Sequence, residues 1–347
     1  NNPNGMAAFS ARGPTDDGRI KPDIVAPGTN IISNHSHYPD ASNLWAAHES
    51  NPDYVYSGGT SMAAPLVAGS AVLVREWLGL QGVTNPSGAA IKAILINTTA
   101  NMAPGQYGIG ATQEIPFDRP NNVVGWGRAD LNFITAPAPF GIWLDDHSAG
   151  LSTSQVVNYA STQSRPLQVL TSTQPLRVML TWTDPPASLS AASQLVNDLD
   201  LVVTGPGGTQ YHGNTIAAGD RINNVEGVVI SNPPLGQYTI QVRAFNVPIA
   251  SQPYALTVNG PLKAQADPPT PTPATATPAT PTSTPVTPPP TGSPTPVTPT
   301  SPSGTPTNTP VTPTGTVSTP TGTVSTPTVS VTPVTGTRRL YIPLITR

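Results

Sequence analysis

Two hydrophobic periods divide the chain. Between Met62 and Leu78 the sequence is rich in Ala, Val and Leu, and beyond Asn85-Pro86-Ser87 the positions Ile91, Ile94, Leu95 and Thr98 recur on one helical face. Ser87 stands where a side-chain cap would begin that second helix. From about Ile142 the period falls to two. Leu176, Val178, Leu180 and Trp182 alternate with polar residues, as do Leu199, Leu201 and Val203, then Tyr238, Ile240 and Val242, then Tyr254, Leu256 and Val258. Turn clusters such as Gly205-Pro206-Gly207-Gly208 and Asn232-Pro233-Pro234-Leu235-Gly236 separate these runs. Short alternating strands with almost no helical pattern predict an antiparallel sandwich or barrel. The boundary between the two textures falls at Thr135–Gly141, where Pro137 and Pro139 lie among small residues.

Composition changes the picture mainly at the far end. The chain has 347 residues and 44 Pro, and the Pro excess is local. From Pro268 to Thr337 about two thirds of the residues are Pro or Thr, none is charged and none is aromatic. Such a stretch cannot bury enough apolar surface to offset its ordering entropy, so a disordered, partly polyproline-II spacer suited to O-glycosylation is expected. The foldable part ends near residue 262. Beyond the spacer, Arg338 to Arg347 turns abruptly basic and apolar, which reads as a short sorting or docking peptide or a sticky terminus.

Charge and cysteine usage remove several classes. A net charge of −3, a pI near 5.9 and 15 thinly spread Lys and Arg give no electrostatic footprint for nucleic acid. No run of 18 apolar residues is present, so no bilayer span is expected. The absence of Cys excludes disulfides, thiolate chemistry and Cys-ligated zinc. The opening Asn1-Asn2-Pro3-Asn4, without Met, reads as an internal start.

The chemistry is concentrated in Ser57-Gly58-Gly59-Thr60-Ser61-Met62-Ala63-Ala64-Pro65, which runs directly into the first helix. This places Ser61 in a first helical turn, where free N–H groups and the positive end of the dipole favour an oxyanion. The Gly pair permits close backbone approach, and Pro65 is expected within the part of the helix that needs no donor. Gly59-Thr60-Ser61-Met62-Ala63-Ala64-Pro65 resembles the nucleophile signature of the subtilisin-like serine proteases (subtilases). The segments Phe9–Pro14 and Lys21–Gly28 are similar to those that lead into that serine, and Gly125-Trp126-Gly127 to the close of the catalytic domain. Val196–Val203 and Asn223–Glu226 resemble the C-terminal β-sandwich of an alkaline-protease branch carrying an appended jelly roll.

What the resemblance implies is a C-terminal part of an α/β subtilisin-like catalytic domain at 1–135, an all-β jelly-roll sandwich at 142–262, the Pro/Thr-rich linker at 263–337 and a terminal peptide at 338–347. It also implies a secreted endopeptidase of protein substrates, located outside the cell or on its surface, with Ser61 as nucleophile and backbone N–H oxyanion donor. A serine needs a His to take its proton and an Asp to orient that His. His35, His37 and His48 precede Ser61, as do Asp16, Asp17, Asp23 and Asp40, but the family order puts the true Asp, His and oxyanion Asn before residue 1. The three histidines then read as loop residues, and the chain alone as inactive. The contrasting reading is a non-catalytic surface protein with a degenerate protease-like domain.

No cofactor is expected for the chemistry. Asp198 and Asp200 share one face of a strand, and Asp184, Asp220, Asn224 and Glu226 can join them from turns as hard oxygen ligands for a structural calcium. The resemblance points the same way, since members of the jelly-roll branch bind calcium. Alternatively the six merely build the turns of a sandwich.

Overall fold

The computed structural model describes residues 2–135, 141–162, 165, 167–263 and 338–342. The segment before Ser61 forms a small antiparallel sheet of β1 (Ile31–Asn34), β2 (Ala46–Ala47) and β3 (Tyr54–Ser57), in the order β1-β3-β2. Two helices follow, α1 (Thr60–Leu80) and α2 (Gly88–Asn97), and then a single turn, α3 (Asn132–Thr135). Ser87 caps α2 as expected, its Oγ accepting the Ala90 N–H at 3.0 Å. Thr98 lies just beyond the helix rather than on its face, and its hydroxyl donates to the Ile94 carbonyl at 2.9 Å.

The strand-period half gives β4 (Gly141–Leu151), β5 (Val156–Tyr159), β6 (Gln168–Val169), β7 (Leu176–Thr181), β8 (Asp198–Thr204), β9 (Gln210–His212), β10 (Val225–Ile230), β11 (Gly236–Gln237), β12 (Thr239–Asn246), β13 (Gln252–Gly260) and β14 (Leu262–Lys263). A last strand, β15 (Arg338–Ile342), returns from the far end of the chain. One sheet runs β10-β7-β13-β4-β15, its partner β5-β12-β8-β9, and a short third sheet runs β11-β6-β14. The alternating residues picked out by period two, among them Val178, Leu180, Trp182, Leu201, Ile240, Leu256 and Val258, form one buried cluster between the sheets. The expected sandwich is therefore present. The boundary residues 136–140 and the spacer residues 264–337 lie outside the described residues. The terminal peptide is not a free tip over 338–342, because those residues pair with β4.

The two halves share a core. Ile142, Leu144 and Ala255 of the sandwich are buried in the same cluster as Leu78, Ala90, Ala93 and Ile94 of the helices. Polar groups reinforce the seam: the Asn97 amide donates to Thr257 Oγ1 at 2.9 Å, Thr181 Oγ1 donates to the Ala89 carbonyl at 2.8 Å, and Arg177 Nη1 donates to the Thr99 carbonyl at 2.8 Å. Asp146 of β4 accepts both the N–H and the hydroxyl of Ser87, at 2.8 and 2.6 Å, and so fixes the cap of α2. Trp126 packs with Ile96, Met179 and Val225, and its ring lies on the backbone of Gly227. A Cβ at Gly227 would overlap that ring, so Gly227→Ala is expected to cost about 1–3 kcal/mol by overpacking, read as a lowered denaturation midpoint.

The free face of α1 contrasts with this seam. Only Val74, Trp77 and Leu78 of α1 are buried, whereas Leu66, Val72 and Leu73 are exposed. By length and composition α1 is apolar enough to cross a bilayer, a property an unbroken-run criterion misses because Arg75 and Glu76 interrupt it. Its buried residues Val74, Trp77 and Leu78 pack with those of α2.

Candidate active site

Ser61 is the second residue of α1 and is exposed. The turn that presents it is built backbone to backbone. β3 pairs with β1 through Ile31 opposite Ser57, and the Gly59 N–H then donates to the Gly28 carbonyl at 2.7 Å. Gly59 has φ 147°, a conformation that side-chain-bearing residues rarely adopt. At Gly58 a Cβ would overlap the indole of Trp45, a residue whose backbone N–H donates to the Tyr56 carbonyl at 3.0 Å. The strand-to-helix turn is thus clamped between the Pro27-Gly28 segment and Trp45. The Trp45 contact had no signal in the sequence, because nothing in periodicity links residue 45 to residue 58.

Pro65 is the sixth residue of the helix, not part of its first turn. Lacking an N–H, it leaves the Ser61 carbonyl without its i+4 donor. The Met62 N–H turns back to the Gly59 carbonyl at 3.0 Å. The start of a 21-residue helix, with its positive dipole end, therefore lies directly beneath the serine. Upstream, Lys21 and Lys92 both reach Asp23, at 2.8 and 3.4 Å, tying the Lys21–Gly28 segment to α2. Burial alone would raise the Asp23 carboxyl, but the two lysines hold it below the usual range.

None of the three histidines ahead of the serine is bonded to it among the described residues. His37 Nε2 stands 3.0 Å from Asp53, His48 stacks on Tyr56 with ring centroids 5.8 Å apart, and His35 Nδ1 lies 3.1 Å from Pro52 O. Their reading as residues of the β1–β3 connection agrees with these partners.

The six residues expected as calcium ligands are each engaged by protein partners. Among the described residues no group of three or more Asp, Glu or His is placed to hold a metal ion. Asp198 and Asp200 do share a strand face, but the cation between them is Arg221, at 3.1 and 2.7 Å. Asp184 accepts the N–H groups of Val196 and Asn197, each at 2.8 Å. Asp220 accepts from Asn214, Asn223 and the Ile222 N–H, while the Asn224 amide donates to Trp182 O at 3.1 Å. Glu226 Oε2 accepts the Leu201 N–H at 2.6 Å. In this arrangement the carboxylates accept from backbone donors and a guanidinium and fasten turns and strands.

This cluster is sensitive to pH. Burial raises Asp198 to about 6 against the pull of Arg221, with Asp200 adding to the rise. Burial likewise pushes Glu226 well above the usual carboxylate range, its bond to the Leu201 N–H opposing. The folded state then holds protons that the unfolded chain releases. The stability these groups add is full below about pH 4 and is lost as pH rises, through about 6 for Asp198 and through its raised folded-state value for Glu226. Glu226→Gln, which keeps an acceptor for Leu201 without a charge, is expected to raise the melting temperature at pH 8 and to leave it unchanged near pH 4.

Comparison with known proteins agrees with this geometry. Residues 1–127 match the model described as the subtilase family, Peptidase_S8. The serine protease/ABC transporter B family protein tagB of Dictyostelium discoideum is 30% identical over 311 residues, covering 75% of this chain and 16% of the relative. The serine protease AprX of Bacillus subtilis is 39% identical over 109 residues, covering 30% of this chain and 24% of the relative. The minor extracellular protease Vpr of the same bacterium is 36% identical over 100 residues, covering 28% of this chain and 10% of the relative. The chain thus spans well under a third of the length of each. Its match to tagB runs beyond residue 127, so the sandwich sequence accompanies the protease-like sequence there as well. Residues 1–127, with Ser61 at the helix start, belong to the subtilase family of subtilisin-like serine proteases.

Proposed function

We propose that this chain carries the nucleophile-bearing part of a secreted serine endopeptidase. Ser61 Oγ attacks the carbonyl carbon of a peptide bond, a His base takes the hydroxyl proton, and the resulting oxyanion is met by the Ser61 N–H at the start of α1. The intermediate collapses to an acyl-enzyme as the amine leaves with that proton, and water then releases the acid. One observation carries the reading: an exposed serine at the second position of a long helix, behind a positive-φ glycine, within a subtilase-matched segment.

The His, its Asp and the second oxyanion donor are supplied from outside residues 1–347. The three histidines ahead of Ser61 are engaged elsewhere, and the exposed Leu66, Val72 and Leu73 offer a face for the rest of a catalytic domain to cover. The strand orders β10-β7-β13-β4 and β5-β12-β8-β9 support reading the sandwich as an appended jelly roll. Its role is to brace: Asp146, Thr181, Arg177 and Thr257 all bond the segment that carries or follows α2. Attachment to a cell surface through the tail competes with the pairing of 338–342 on β4. The intact protein is expected to cleave an unfolded protein substrate and to lose that activity to a serine-directed phosphonate. Failure to cleave favours the contrasting reading, a non-catalytic surface protein.

Met62 follows the nucleophile, its Sδ lying close to Gly59. Peroxide oxidation to the sulfoxide adds polar bulk there, so turnover is expected to fall as Met62 is oxidised. Full activity after complete Met62 oxidation, followed by peptide mass mapping, would contradict this.

A further inference from the structure

Strand β4 is the last strand of its sheet in the contiguous folded chain, and its outer edge is taken by a segment separated from β14 by 74 residues. The pairing is antiparallel: Arg338 stands opposite Asp146, Arg339 opposite Asp145, Leu340 opposite Leu144, Tyr341 opposite Trp143 and Ile342 opposite Ile142. We propose that the β4 edge is a strand-docking site whose occupant is the C-terminal segment of the same chain, held in cis by backbone pairing with the basic pair set at the acidic end of the edge.

Three features converge on that occupant. First, β4 is covered on both faces over 142–144, with Ile142 and Leu144 in the helix cluster and Trp143 in the sandwich core. An unpaired edge on so apolar a strand is an open template for association with other chains. Second, Asp145 and Asp146 are 0% and 7% exposed and held in place, Asp145 accepting the Tyr159 hydroxyl at 2.8 Å and Asp146 capping Ser87. The register places Arg338 and Arg339 opposite those two positions. Third, the intervening sequence cannot compete for the edge. Its frequent Pro residues lack the N–H a ladder needs, and it has no charge between Pro268 and Thr337. The cost of bringing back a distant segment grows only slowly with the length of the connection, so a long spacer does not forbid docking.

Hydrogen exchange on the full 347-residue chain tests this. Leu340→Pro puts a residue with a fixed φ and no N–H in the middle of β15, and Arg338→Glu with Arg339→Glu reverses the charge of the two residues in register with Asp146 and Asp145. Both variants are expected to speed exchange at least tenfold at those β4 amides over 142–146 that point to β15, while those that point to β13 stay protected. Exchange in α2 and the melting temperature of the helices should stay unchanged. A synthetic peptide of residues 338–347, added to the Leu340→Pro chain, should restore β4 protection saturably, and it should not bind the unaltered chain. Equal β4 exchange in the unaltered and variant chains would overturn the proposal. So would β4 protection that appears only as the unaltered chain dimerises, since the occupant would then be a second copy.

Discussion

Ser61→Ala, made in the intact protein, is expected to lower peptide hydrolysis by about 10⁶-fold, the magnitude known for subtilisin, the enzyme for which the family is named. The loss should fall on turnover, because the alanine removes the atom that bonds the substrate carbonyl and leaves the surrounding surface in place. The structure makes this a clean substitution. Ser61 is exposed, and its turn is held by Gly59, Gly28 and Trp45 rather than by its own side chain. Stability should therefore change by less than about 0.5 kcal/mol, as for other surface substitutions. A variant that lost activity together with its fold would show instead that the serine is structural.

The second large effect is expected at Trp126. The residue is 4% exposed and stands where the protease-like segment meets the sandwich. Its N–H donates to the Asp23 carbonyl at 2.9 Å, its carbonyl accepts the Thr99 hydroxyl at 2.8 Å, and its ring covers Gly227 on β10. Trp126→Ala is expected to cost about 3–5 kcal/mol through lost burial and the cavity left behind. At roughly 2–4 °C per kcal/mol for a unit of this size, the melting temperature should drop by about 10 °C. If the sandwich braces the nucleophile-bearing segment, exchange should quicken in α2 and in β10 together. Quickening on one side alone would show that the seam contributes little.

Much of this was legible in the sequence, for identifiable reasons. Period two in a half-buried strand is set by the pleat alone, so Val178, Leu180, Ile240 and Leu256 could be placed in a core without knowing their partners. Ser87 could be placed as a cap because capping is local. Ser61 could be placed at a helix start because the flanking glycines and alanines are adjacent in sequence. What escaped is long-range. Trp45 meets Gly58, Arg221 reaches Asp198 and Asp200, and residues 338–342 pair with β4. Spacing puts Asp198 and Asp200 on one face, and spacing alone does not show that Arg221 reaches both. Arg221, next to Asp220, was the signal that could have been weighed.

The central claim is that Ser61 is a nucleophile whose activating partners come from outside this chain. Active-site labelling with an irreversible serine-directed phosphonate, mapped by peptide mass, tests it most directly on the intact protein and on residues 1–347 in parallel. The expected result is stoichiometric labelling of Ser61 in the intact protein and none in the isolated chain. Labelling of Ser61 in the isolated chain would contradict the account of its partners, and an unlabelled Ser61 in the intact protein would contradict the account of its chemistry.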